Sequence, residues 1–104
     1  GMLKHRVIEA RSLAMHCLIA HKIGRDPRLL DVARRNLAAW SARYGDQPPR
    51  ALDEWRAILT RPWHEIAALI TDAGETATRL RQSSPFAGVL TPIERRRVYE
   101  AFRA

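Results

Sequence analysis

A chain of 104 residues that is 46% hydrophobic and 28% charged has the size and make-up of one packed domain. A chain of this length buries roughly 60 to 70% of its unfolded surface with no metal or disulfide staple, which excludes wholesale disorder. Its single cysteine, Cys17, rules out an intrachain disulfide, a CxxC pair and a cysteine zinc cluster, and suits a reducing, cytoplasmic setting. The net charge of +7, almost all from arginine, directs attention to acidic partners, while no apolar run approaches the roughly 20 residues of a membrane span.

The charge is uneven: residues 1–47 hold nine basic and four acidic side chains, residues 48–104 nine and seven. A GC-rich coding sequence would also enrich arginine, and no dense basic arm is present. Gly1 before Met2 reads as a remnant of tag removal, and residues 1–104 as a single helical domain.

Leu3, Val7, Ala14 and Leu18 recur at helical spacing, with Ile8, Met15, Ile19 and Ile23 widening the stripe, so a long amphipathic helix is predicted from Leu3 to Ile23. His5, Glu9, Ser12 and His16 then share its polar side, with Glu9 placed to pair with His5 or Lys4. Gly24 fits a helix C′ position, and Asp26-Pro27 an N-cap with proline at the first position of a second helix. That helix carries Leu30, Ala33, Leu37, Trp40 and Tyr44 on one face, supports itself through Asp31 before Arg34 and Arg35, and closes at Gly45. The first two helices are expected to form an antiparallel hairpin, followed by a turn at Asp46-Gln47-Pro48-Pro49.

A short third helix holds Leu52, Trp55, Ile58 and Leu59 and stops near Thr60, because Pro62 disfavours helical geometry at Arg61. Pro62 opens a fourth with Trp63, Ile66, Ala67 and Ile70 on its apolar face; Asp72 and Glu75 suggest a capping box for a fifth that runs to about Gln82. Thr91-Pro92-Ile93-Glu94 is the clearest start signal, leading a last helix with Ile93, Val98, Ala101 and Phe102 as its apolar set. No strand-like alternation or internal repeat is present. The fold class implied is an all-α, compact orthogonal bundle of about five or six helices.

Chemistry is harder to read. Cys17 and His21 stand four apart, as two zinc ligands might, but no third ligand accompanies them, so neither metal nor other cofactor is implied. The four histidines come without a credible nucleophile, and no paired-carboxylate, P-loop or zinc-protease signature occurs, which argues against an enzyme. Trp40, Trp55 and Trp63 sit at core-facing positions rather than as stacking platforms, and the arginine clusters Arg34-Arg35 and Arg95-Arg96-Arg97 each have acids within one turn. Glu65 to Arg81 lies loosely on a helix-turn-helix pattern, with Thr76, Thr78, Arg79 and Gln82 as groove or phosphate contacts, although Thr71 replaces the usual glycine and Asp72 an apolar residue.

The stretch Arg79-Leu80-Arg81-Gln82-Ser83-Ser84-Pro85-Phe86-Ala87-Gly88-Val89-Leu90 combines a basic helix end with a loop of small and apolar residues. It resembles a motif of a family of small bacterial proteins, and the resemblance extends to the Asp26-Pro27 helix start, the Glu54-Trp55 pair and the final helix. Relatives of this kind are described as regulator-like or antitoxin-like, which implies a non-enzymatic role in binding a partner protein, with nucleic acid as a further partner. From residue types, Arg79, Arg81, Gln82, Ser83, Ser84 and Phe86 form the candidate binding surface, since arginine and aromatic side chains are enriched in hot spots. A DNA-binding regulator, or a subunit completing a partner enzyme's site with Arg79 or Arg81, are the competing expectations. The opposing structural expectation is that Phe86, Val89 and Leu90 tuck the loop onto the core.

Overall fold

Proline, glycine and one capping box divide the chain into six α-helices. The computed structural model describes residues 1–103, with α1 (Met2–Arg25), α2 (Leu30–Tyr44), α3 (Arg50–Ile58), α4 (Trp63–Ile70), α5 (Glu75–Arg81) and α6 (Pro92–Ala101), and no strand among the described residues. The protein is an all-α bundle.

Two predicted boundaries move, each for a local reason. Gly24 does not end α1; the helix runs on to Arg25 and stops because the residue before Pro27 is driven out of helical geometry, Asp26 lying at φ −137°. The Asp26 carboxylate then accepts from the Arg28 amide at 3.3 Å and starts a 3-10 turn, Pro27–Leu29, that feeds α2. Asp72 and Glu75 form no capping box either: Glu75 is the first residue of α5, and Asp72 instead accepts from the Gly74 amide at 2.8 Å in a local turn. The other signals hold. Gly45 closes α2 at φ 56°, and at α6 the Thr91 hydroxyl accepts from the Glu94 amide while the Glu94 carboxylate accepts from the Thr91 amide.

α1 is the axis of the molecule: its 24 residues span about 36 Å at 1.5 Å per residue, against a longest dimension of 39 Å. Its main helical neighbours are α4, α5 and α6, whereas α2 packs on α3, so the expected α1–α2 hairpin is not how the first two helices are held. The core gathers Ile19 and Ile23 from α1, Leu37 from α2, Trp55 from α3, Ile66 and Ile70 from α4, and Leu80 from α5. Phe86, in the loop before α6, completes it at 1% exposure, set edge-on to Trp55 with ring centres 5.8 Å apart. The Trp55 indole donates to the Leu80 carbonyl at 3.1 Å, and Trp40 and Trp63 pack half-buried around the edge. Tyr44, expected on the inner face of α2, is half exposed.

The two ends of the chain depart most from the expected stripes. Of the α1 stripe only the far half is buried; Leu3 and Ile8 are exposed, and the buried face passes through His16, Ile19 and Ile23 instead. α6 buries none of its residues, and Ile93 is 64% exposed.

Candidate functional site

The stretch from Arg79 to Leu90 does not form one surface. α5 is a single seven-residue segment whose inner face is Ala77, Leu80 and Arg81, so only Arg79 and Gln82 look outward, joined by exposed Ser83. Arg79 makes a two-pronged pair with Glu54, at 2.9 and 2.8 Å, which holds the Glu54 carboxyl below its ordinary pKa and raises the arginine's own. Arg81 and Phe86, expected as binding contacts, lie in the interior, and Ser84 is half-buried against α1. Of the two, Arg81 is withdrawn from any partner's reach, while Arg79 is exposed with its charge paired to Glu54. The loop is the last piece of the core, fastened by Asn36 donating to the Pro85 and Ala87 carbonyls, both at 2.8 Å, and by Lys22 donating to the Val89 carbonyl at 2.9 Å.

The helix-turn-helix reading meets the same geometry. α4 and α5 are joined by a short turn, but the outward face of α5 offers Thr76, Arg79 and Gln82, and the charge of Arg79 is already matched by Glu54. Thr78 is turned inward, its hydroxyl accepting from Arg81 at 3.2 Å.

Behind the loop lies a polar arrangement that sequence does not reveal. His16 Nδ1 stands 2.7 Å from the Ser12 carbonyl, which can only accept, so that nitrogen carries the proton and Nε2, 2.7 Å from Ser84 Oγ, accepts from the hydroxyl. Burial, with a further contribution from the Arg81 charge, lowers the imidazole pKa against the opposing effect of the Ser12 bond, and keeps the ring neutral. Arg81 donates to the carbonyls of Ile70 and Asp72, and no carboxylate pairs with it among the described residues. Its Nε is the one buried side-chain polar atom without a partner among them. A cavity of about 160 Å³ opens beside these groups, with Ser12, His16, Arg81, Ser84 and Arg95 on its polar side. His16 and Ser84 are 68 positions apart, and the helical spacing that grouped His16 with His5 and Glu9 placed it on the solvent side.

A larger feature lies where α1 and α6 meet. A groove of about 640 Å³ is floored by Val7, Ile8, Tyr99 and Phe102 and rimmed by basic side chains that include Lys4 and Arg96, with Glu100 as the acid among its lining residues. Arg11 lies over the Tyr99 ring at 4.0 Å, and Arg95 approaches it at 5.5 Å. Met2 and Leu3 at the start of α1, and Ile93 one turn before Arg96 on α6, are exposed as well. The acids within one turn of Arg95-Arg96-Arg97 do not pair with them: Glu94 is engaged by Lys22 at 2.7 Å and by the Thr91 amide, which hold its pKa down to about 2, and Glu100 makes no ion pair among the described residues. Among the described residues none of those three arginines makes an ion pair. The signal for this face was available, since the positions three and four after Ile93 are Arg96 and Arg97, which break any apolar stripe.

Cys17 and His21 are both exposed, and no group of three or more His, Cys, Asp and Glu side chains that could hold a metal occurs among the described residues. No helix among them is long and apolar enough to cross a membrane. No family model, curated protein or solved structure matches the chain, so its role has to be argued from its own residues.

Proposed function

We propose that this protein is a non-enzymatic binding module of the regulator or antitoxin-like kind, and that its α1–α6 face seats an acidic amphipathic helix of a partner protein. The observation that carries this reading is the set of exposed apolar residues around the groove, bordered by arginines with no acid spent on them. The accessible surface is 6942 Å², while a monomer of 11.9 kDa is expected to expose about 6,000 Å². The excess is comparable to the roughly 800 Å² that each partner contributes to a standard interface. A second copy of the chain is the poorer occupant, because two molecules of charge +7 repel each other. A helix laid in the groove would place its apolar stripe on Ile8 and Tyr99 and its carboxylates toward Lys4 and Arg96.

Binding is favoured over catalysis by the state of the one nucleophile-like pair. Ser84 Oγ already accepts from the Phe86 amide at 3.3 Å, so that donor is spent on the hydroxyl instead of facing a developing oxyanion. A second reading, contact with nucleic-acid phosphates, is supported by Arg95 and Arg96, which border the surface around Tyr99 and make no ion pair among the described residues.

The test uses a synthetic amphipathic helix with glutamates beside its apolar stripe, and the same helix with lysines in their place. Fluorescence anisotropy should give saturable binding of the acidic peptide only, weakened by salt and by Tyr99→Ala or Ile93→Glu. Equal failure of both peptides overturns the reading, and concentration-dependent dimerisation in sedimentation assigns the face to a second copy. Tight binding of duplex DNA with no affinity for the acidic peptide assigns it to nucleic acid.

A further inference from the structure

A guanidinium kept in a protein interior is ordinarily paired with a carboxylate, since desolvating an uncompensated charge costs several kcal/mol. Arg81 is 5% exposed and is met only by neutral acceptors: two backbone carbonyls and the Thr78 hydroxyl. The carboxylates that act on it, Asp72 and Glu9, do so through space without contact. Burial accordingly lowers its pKa, the direction of a cation short of counter-charge.

The cavity beside it has the remaining parts of an anion site. Arg95 at its rim makes no ion pair among the described residues, and the Ser84 hydroxyl, which donates to His16 Nε2, is freed to donate to an anion once that nitrogen takes up a proton. His16 is 3% exposed and can accept a proton as negative charge enters. At about 160 Å³ the space admits several waters or one small oxyanion, and is too small for a nucleotide. We propose that this cavity binds a small oxyanion, a carboxylate or a phosphate, between the inner charge of Arg81 and the rim charge of Arg95, with the Ser84 hydroxyl as a further contact. The site lies outside the α1–α6 groove, although Arg95 also borders the surface leading toward Tyr99. Its ligand is therefore either a free anion or a carboxylate carried on another molecule.

The experiment is a titration of the whole protein with sodium acetate, sodium phosphate and, at matched ionic strength, sodium chloride, followed by the Arg81 Nε–H and His16 ring signals in NMR. Acetate or phosphate should move both signals along a saturating curve, and chloride should not. Arg95→Met should weaken saturation by about tenfold, the size expected for one charge-assisted hydrogen bond, while leaving the melting temperature alone. Ser84→Ala is the second variant, because Arg81 itself cannot be replaced without risk to the fold. Signals that stay still, or that follow all three salts equally without saturation, overturn the proposal. Saturation by free acetate or phosphate identifies a small-molecule site. Movement only with a peptide ending in a free carboxylate, lost on amidation of that terminus, identifies a carried anion.

Discussion

His16 shows how one buried side chain sets a pH dependence. Its pKa lies below 6.5 in the folded protein, so between that lowered value and 6.5 the unfolded chain binds more protons than the native one. Stability from the neutral ring is complete above 6.5 and falls as the pH drops through the window beneath it. Denaturant melts between pH 7.5 and 5 should therefore lose stability on the acid side, and His16→Gln, which cannot titrate, should flatten the curve. The two arginines of α5 should separate just as clearly. Arg79→Ala breaks an exposed pair and should leave the melting temperature near wild type, whereas Arg81→Met strips the donor from two carbonyls and should cost about 3 kcal/mol. Equal melting of the two variants would show that Arg81 is not held as described. In the sequence the two arginines look alike, because a one-dimensional pattern registers charge but not which side of a short helix meets α1.

At the scale of elements, boundaries were legible wherever a local rule decides them. Asp26-Pro27, Gly45 and Thr91-Pro92 mark turns of the chain through backbone sterics and capping alone. What the helices bury was less legible, because the half of α1 near Leu3 and the whole of α6 carry apolar residues that the fold leaves outside. α6 is consequently held by its cap and by the Lys22–Glu94 pair more than by burial. Thr91→Ala should cost roughly 0.5 to 2 kcal/mol locally, seen as faster amide exchange along α6 with a smaller change in the global melt. Acid should act in the same place. The Glu94 carboxyl is held from 4.5 to about 2, so its contribution is present above 4.5 and is lost as the pH falls toward 2. Exchange in α6 that quickens before the core melts on acidification would bear this out; simultaneous loss would not.

For the molecule as a whole, the radius of gyration of 13.9 Å exceeds the roughly 13 Å expected of a chain this long. The excess matches the length of α1, which runs through almost the whole of the longest dimension. If those apolar residues serve a partner and not the fold, Leu3→Glu with Ile93→Glu should change stability by no more than about 0.5 kcal/mol while abolishing capture of the acidic peptide. The charge of +7 makes a further demand: any duplex DNA binding should fall steeply between about 50 and 200 mM salt as counterions are released. Undetectable binding at the lower salt removes the nucleic-acid reading. The candidate surfaces stayed largely hidden in the sequence because they join α1 to residues some 70 to 90 positions away, as in the His16–Ser84 and Arg11–Tyr99 contacts.

The way Phe86 and its loop are fastened also bears on when the protein can become itself. Ser84, Pro85 and Val89 are tied to His16, Asn36 and Lys22 across separations of 68, 49 and 67 residues. During synthesis the helices of the first eighty residues therefore emerge with Trp55 and His16 facing a gap that only the last quarter of the chain can fill. Contacts of such long range form late and slowly, and until they close the nascent bundle presents apolar surface to its surroundings. A ribosome stalled before Phe86 should accordingly hold a protease-sensitive, chaperone-dependent intermediate, and one stalled far enough beyond Leu90 for that residue to clear the exit tunnel should hold a resistant domain.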